Sequence, residues 1–298
     1  MSVPATSNQM AGLSNHGKGL LIALAAVLLI SFDALLVRLA VAPHWDIVFW
    51  RGWLICLTLG IWMLISGQRL HLPPARQDRW LIAAAVVMLS GNTTLFVLSI
   101  AHTAAANTVV ILAAAPFFAA IFSWLFLREP VRLRTWIAIA VAMSGVLVVF
   151  GGGLQGGTIW GDGFAFALAI CVGGQLTILR RFPTLPRLPL VCISGALAGL
   201  IALPFATPLS LSMQTYVVVA VMGIAQMPLA TLMLAVATRY LPSPEVSLFL
   251  LLETVLGPLW VWWILSEQVP ELTFYGGVLI LLTVATHAWF ALREERMP

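Results

Sequence analysis

The sequence predicts an all-α polytopic membrane protein, with ten transmembrane helices arranged as two inverted five-helix repeats. Three observations predict it. Of the 298 residues, 61% are hydrophobic and only 9% charged, with a mean hydropathy of +1.02, whereas about a quarter of the residues of a soluble domain are charged. The apolar residues gather in runs of about twenty, the length that crosses a ~30 Å hydrocarbon layer as a helix. The basic residues, finally, fall in alternate loops. Lipid offers the backbone no hydrogen bonds, so each run is a helix, and an outer-membrane barrel would show ten-residue alternations instead.

The first run, about 19–41, follows Lys18 and carries Asp33 and Arg38. It is too long and too charged for a signal peptide, and Pro43 follows the small-residue box Ala40-Val41-Ala42. The second, about 46–66, contains Trp50 and Arg51, and Arg69, Arg76 and Arg79 separate it from the third, about 80–101, with Asn92. The fourth, about 104–127, holds Asn107 and Pro116 and leads through Arg128, Arg132 and Arg134 into the fifth, about 133–151. The sixth, about 160–180, contains Gln175 and ends at Arg180 and Arg181, and the seventh, about 187–207, starts at Arg187. The eighth, about 214–238, contains Gln226 and ends at Arg239; the ninth, about 244–265, carries Glu245 and Glu253; the tenth, about 272–292, ends before Arg293 and Arg296. Thirteen Lys and Arg residues thus occupy one set of loops and none the five opposite, which places both termini in the cytoplasm.

A repeat lies beneath this pattern. An offset of 138 residues brings Glu129 onto Glu267, Trp124 onto Trp262, Phe122 onto Trp260, Trp136 onto Phe274 and Val131 onto Val269. The division is then a tail at 1–18, a first five-helix repeat at 19–151 and a second at 160–292. Five is odd, so the second copy enters the membrane from the opposite face. Inverted repeats are a common build for secondary transporters, with the substrate site at the midplane between halves. The competing reading is chance recurrence of Trp and Phe in apolar helices.

Pro116-Phe117-Phe118, Leu127-Arg128-Glu129-Pro130 and Gly145-Val146 resemble the EamA repeat of the drug/metabolite transporter superfamily, and Leu252-Glu253-Thr254, Leu265-Ser266-Glu267 and Gly276-Gly277 resemble its second copy. The second copy departs in having Thr254 where the first has Pro116, with Pro258 a turn later, so the two central helices are expected to bend at different depths. The resemblance implies a ten-helix exporter in which helices one to four and six to nine surround a cavity while five and ten pack outside. Within the superfamily the overall look is similar to the YddG-type amino-acid exporters, whose substrates include aromatic amino acids.

An ionised group inside the bilayer costs at least ~2.5–3.5 kcal/mol, so each intramembrane charge should be paired, hydrated or functional. Asp33 and Arg51 lie at depths that allow a salt bridge, and Arg38 is placed to snorkel or to compete for the same carboxylate. The pair is read either as a structural clasp or, with Arg38, as a carboxylate anchor or gate. Glu253 is about 13 Å deep with no cation at matching depth unless one lies across the bundle, and Glu245, Phe249 and Glu253 share one helical face. Glu253 is read as a coupling site or amino-group ligand on one view, and as a protonated packing residue on the other. Glu129 and Glu267 are expected to cap the helices that follow them.

Asn92, Asn107, Gln175 and Gln226 either bond between helices or contact substrate. Trp50, with Phe49 and Trp160, is placed to meet a solute near the outer opening. Gly91, Pro116, Gly173-Gly174, Gly223, Pro228, Gly257 and Pro258 are read as helix interruptions that permit close packing and rocking of the halves, against the plainer reading that isolated glycines in such helices simply pack. The candidate substrate-binding set is therefore Trp50, Arg51, Asn92, Asn107, Gln175, Gln226 and Glu253, and the candidate gating or ion-pair set Asp33, Arg38 and Glu245.

There is no HExxH, GxSxG or Walker A motif, His16, His44, His71, His102 and His287 are scattered, and Cys56, Cys171 and Cys192 stand singly. Neither catalytic residues, nor a metal, nor a cofactor is expected, and no nucleic-acid partner; the basic residues report topology. No filter or ring of like charges suggests a channel. The expected protein is a monomeric secondary exporter of small metabolites, amino acids including aromatic ones, working by alternating access in the cytoplasmic (inner) membrane. The alternatives are export of another amphipathic solute or drug, or a non-transporting membrane scaffold.

Overall fold

The computed structural model describes residues 14–67, 75–103, 108, 111–150, 158–265 and 271–296, and among these there is no strand. Helix α1 (Asn15–Ser31) starts where Ser14 Oγ accepts the Gly17 amide at 3.0 Å, and a turn at Phe32 separates it from α2 (Asp33–Ala40). Helix α3 (His44–Ser66) stops at Gly67, whose φ of 66° is the left-handed geometry that ends helices. Helix α4 (Arg76–His102) is unbroken, and α5 (Ala115–Phe122) opens on Pro116 and continues as a π turn (Ser123–Leu127) that Arg128 ends at φ 55°. Then follow α6 (Leu133–Phe150), α7 (Ile159–Arg181), capped by Thr158 Oγ1 on the Gly161 amide, and α8 (Arg187–Ala202). Helix α9 (Met213–Ala220) passes through a π segment (Val221–Gln226) into α10 (Met227–Ala237). The last elements are α11 (Ser243–Leu250), α12 (Glu253–Leu265) and α13 (Glu271–Arg296).

Among the described residues, five stretches are long and apolar enough to cross a membrane: His44–Ser66, Arg76–Ser99, Ile159–Arg181, Met213–Ala237 and Tyr275–Arg293. Asn15–Ser31, Ala115–Leu127, Leu133–Val148 and Arg187–Ala202 are apolar but shorter. The exposed surface is rich in Leu, Ile, Trp and Phe, including Leu64, Ile65, Trp80, Trp124, Trp263 and Phe290, the coat of a protein whose solvent is lipid. The chain is a multi-pass membrane protein.

The helices pair in a pattern with its own regularity. Helix α3 packs on α8, α4 on α7 and α8, α6 on α13, α5 on α7 and α11, α1 on α10, α1 and α2 on α12, and the π segment before α10 on α3. Exchange α1–α2, α3, α4, α5 and α6 for α7, α8, α9–α10, α11–α12 and α13, and the map returns to itself: α4 on α7 becomes α10 on α1, and α5 on α7 becomes α12 on α1. The α3–α8 crossing is the tightest, because a Cβ on Gly52 would sit 2.5 Å from the Gly199 nitrogen and 2.6 Å from the Gly195 oxygen.

Polar contacts sort the helix ends into two groups. At one end, Arg180 pairs with Glu129 at 3.4 Å and reaches the carbonyls of Thr238 and Arg239, Arg239 donates to the Leu185 carbonyl, and Arg187 to that of Leu179. At the other, Thr103 donates to Asp162 at 2.9 Å, Thr158 to the His102 carbonyl, and Asp46 accepts both the amide and the hydroxyl of Thr207. The arginine loops of the described chain thus meet at one end.

Several expectations are corrected. Gly91, Gly173-Gly174 and Gly257 sit inside unbroken helices, and Gly173 and Gly174 admit close neighbours instead of bending the chain; the interruptions fall at Phe32, at 113–114, at the two π segments and at Leu251-Leu252. The first run is therefore two helices. Glu129 pairs with Arg180, and Glu267 lies outside the described residues. The central helices were expected to bend at different depths; instead α5 begins at Ala115 and α12 at Glu253, the same place under the 138-residue offset. Pro116 accounts for the first break, since it has no amide to donate. In the second, amides at Leu251, Leu252, Thr254 and Val255 each bond three residues back, so a tightened turn does without proline.

Candidate functional site

The interruption at Phe32 leaves the carbonyls at the end of α1 short of helical donors. Gln226, at the end of the π segment on the neighbouring α9–α10 helix, supplies one: its Nε2 donates to the Leu29 carbonyl at 3.0 Å. The same break turns three consecutive side chains to separate tasks. Ser31 Oγ accepts the Trp260 indole N–H at 2.8 Å, Phe32 stacks on the Trp260 ring with centroids 4.5 Å apart, and Asp33 Oδ2 accepts Arg51 Nη1 at 3.2 Å. Both members of that ion pair are buried. Glu253, the first residue of α12 and the residue directly after the second break, is close enough to interact electrostatically with both Asp33 and Arg51.

The cluster is polar but incomplete. Among the described residues, Asp33 Oδ1, Arg51 Nε and Gln226 Oε1 are buried without a hydrogen-bond partner. A buried polar atom left so is costly, roughly 1–3 kcal/mol each, and is the mark of a group that meets water or a ligand. A free carboxylate oxygen, a free guanidinium N–H and a second carboxylate therefore stand beside a stacked aromatic pair, an arrangement with places for an ammonium, a carboxylate and a ring.

The other sequence-derived candidates are distributed differently. Trp50 is held by its N–H on the Pro208 carbonyl at 3.1 Å and by edge contacts with Phe49 and Tyr216, so it fastens α3 to the segment between α8 and α9 and to α9 itself. Trp160 is exposed at the start of α7. Asn92 and Gln175 lie on the packed pair α4 and α7, each with its side-chain oxygen buried and unpartnered among the described residues. Asn107 and the side chain of Arg38 lie outside the described residues. Glu245 does not share a face with Glu253, because the helix breaks between them; it belongs to a separate group with His16 at 3.3 Å, His287 at 3.7 Å and Arg134 at 3.9 Å.

Sequence reasoning missed Ser31, Phe32 and Trp260 as members of the cluster. A hydroxyl, a ring and a carboxylate in succession at 31–33, opposite an isolated carboxylate and a Trp seven residues beyond it, was the available signal. No group of His, Cys, Asp and Glu among the described residues has the geometry of a metal site.

Comparison with known proteins agrees with the architecture. Residues 17–151 match the EamA-like transporter family. The pseudopaline exporter CntI of Pseudomonas aeruginosa, in strains UCBPP-PA14 and PAO1, is 25% identical over 272 residues, covering 89% of this chain and 93% of the relative. A crystal structure of a protein with 18% sequence identity superposes with a TM-score of 0.77 over 90% of this chain and 96% of that one, a likeness of fold. The chain is therefore a multi-pass membrane protein whose residues 17–151 match the EamA-like transporter family.

Proposed function

We propose that the protein is a secondary transporter that exports small amphipathic metabolites, with amino acids including aromatic ones as its substrate class, as in the YddG-type exporters. The observation that carries this reading is the buried cluster at the two helix breaks. Arg51 Nε offers a donor for a carboxylate, Asp33 Oδ1 and Glu253 offer acceptors for an ammonium, and Phe32 and Trp260 offer faces for a side chain. Binding there trades orphaned atoms for charge-assisted hydrogen bonds, which is strongest where water is excluded.

The pairing map that repeats under a five-helix shift, with helix breaks 138 residues apart, supports two inverted halves at 19–151 and 160–292 and ten crossings. Broken helices at a repeat interface are where such transporters place substrate. Gathering of the arginine loops at one end supports a cytoplasmic face there, both termini inside, and the inner membrane as the location. A relative named as an exporter supports outward transport. In alternating access the segments beyond the breaks, α2 and α12, would move about α1 and α11 while α3–α8 and α6–α13 stay packed.

Proteoliposomes holding the full chain, loaded with labelled Phe, Thr or Met, should lose label faster than empty vesicles, and Arg51→Ala should abolish the difference per folded molecule. Movement of none of the three ends the amino-acid assignment. Undiminished flux in both Arg51→Ala and Glu253→Ala removes the site.

A further inference from the structure

Glu245 lies at the arginine-rich end, eight residues before Glu253 and on the far side of the helix break. Its carboxylate is buried, yet three other helices bring nitrogen to it. His16 of α1 approaches Oε2 at 3.3 Å, and His287 of α13 and Arg134 of α6 approach Oε1 at 3.7 and 3.9 Å. Among the described residues, His16 Nε2, His287 Nε2 and Glu245 Oε2 are buried without completed hydrogen bonds. His287 is 4% exposed. The group borders a cleft of about 230 Å³ that Glu129 and Arg132 also line. Of the other elements against α11, the π turn after α5 and helix α7 bring Ser123 and Thr177, which both bond Ser243, and α12 begins with Glu253 beyond the break.

Two imidazoles on one buried carboxylate, each lacking a finished hydrogen bond, form a place where an added proton supplies what is missing. Imidazole is the side chain that changes charge between about pH 5 and 8. We infer that Glu245, His16 and His287 form a proton-binding site at the arginine-rich mouth, distinct from the Asp33–Arg51–Glu253 cluster. With both rings neutral, Glu245 faces Arg134 at a distance beyond a hydrogen bond. One proton on either ring creates a charged N–H opposite the carboxylate and clasps α11 to α1 or α13. Helix α1 comes from the first half of the chain and α11 and α13 from the second, so a proton on His16 closes the seam between halves, while one on His287 fastens α11 to α13 within the second. Because α11 leads directly into the break before Glu253, closing this mouth and altering the buried cluster are mechanically joined. The regulatory consequence rests on the transport reading above; proton binding itself does not.

The test has two arms. In detergent, histidine-selective labelling of the full chain allows the ring signals of His16 and His287 to be followed against pH. The expected result is that the two curves depend on each other and on Glu245: both shift downward in Glu245→Gln, because the neutral amide no longer favours the protonated rings, and His287→Asn moves the His16 curve. Curves unchanged by either substitution overturn the site. In proteoliposomes, efflux normalised to its own value at pH 8 should vary with the pH at the arginine-rich face in the wild type, and this profile should flatten at least twofold in His16→Asn/His287→Asn. An identical profile in the double variant overturns the clasp. Should no solute move while the ring titrations remain coupled, the transport reading fails and the proton site stands.

Discussion

Two seams of the molecule are built on opposite terms. Where α3 crosses α8, the helices are unbroken and their backbones touch, because Gly52, Gly195 and Gly199 leave no side chain between them. Where α1–α2 meets α12, both partners are interrupted and a buried ion pair, a further carboxylate and a stacked aromatic pair occupy the gap. Close apolar contact has no second arrangement of comparable energy, since packed interiors tolerate little displacement. A polar cluster with unfinished hydrogen bonds does have one, namely the state in which a ligand or water completes it. The contrast teaches that in this fold rigidity and chemistry reside in different helix pairs.

The largest effect is expected at the ion pair. Removing one partner of a buried pair leaves an uncompensated charge and costs about 3–5 kcal/mol. Arg51→Ala and Asp33→Ala should each lower the melting temperature in detergent sharply. Asp33→Asn/Arg51→Gln should recover most of that loss, because neutral partners still fill the space, but not the flux. A double variant that melts as low as the single ones would show that charge balance is not what holds this seam. One that transports normally would make the pair a clasp and nothing more.

At the rigid seam, the expectation is steric. A leucine at Gly52 would overlap backbone, which cannot rotate aside, and overpacking of this kind costs about 1–3 kcal/mol and sometimes more. Gly60 lies on the same helix, but an added Cβ there meets only the Cys192 sulfur, at 3.9 Å. Gly52→Leu should therefore reduce yield and melting temperature while Gly60→Ala leaves both nearly unchanged. Equal behaviour of the two would erase the distinction between the seams.

Much of this was legible in the residues alone. Charge scarcity and run length gave a helical membrane protein, and Asp33 and Arg51 paired as their depths allow. What stayed hidden is instructive. Periodicity does not report a turn of three-residue bonds, so the breaks at Phe32 and at Leu251-Leu252 were invisible, and glycines in unbroken helices were taken for hinges. Because the second break was missed, Glu245 was placed on the same face as Glu253. Its actual neighbours, His16 and His287, lie 229 and 42 residues away in the chain, and nothing in their local spacing signals the meeting. The EamA-like match covers 17–151, which includes Asp33 and Arg51 of the proposed site but not its second carboxylate, Glu253.

The last comparison is between the two helix breaks. Positions 115 and 253, 138 residues apart, are each the first residue after a break, but the first is Ala and the second Glu; next to them stand Pro116 and Thr254. Glu253→Ala gives the second break the residue found at the first. If the break is a shared structural feature and the carboxylate serves the solute, this variant should melt within about 1 kcal/mol of wild type, the range of changes that leave no buried group unpaired, and yet lose flux at least tenfold. Thr254→Pro carries the substitution one residue further. It removes the amide that bonds the Leu251 carbonyl at 3.2 Å and the hydroxyl that bonds it at 2.7 Å. The proline keeps the break, as it does at Pro116, so the expected cost is small, about 1 kcal/mol for the lost bonds, with flux retained. Loss of transport in Thr254→Pro but not in Glu253→Ala would reverse the assignment, making the geometry of the turn, and not the carboxylate it presents, the feature on which transport depends.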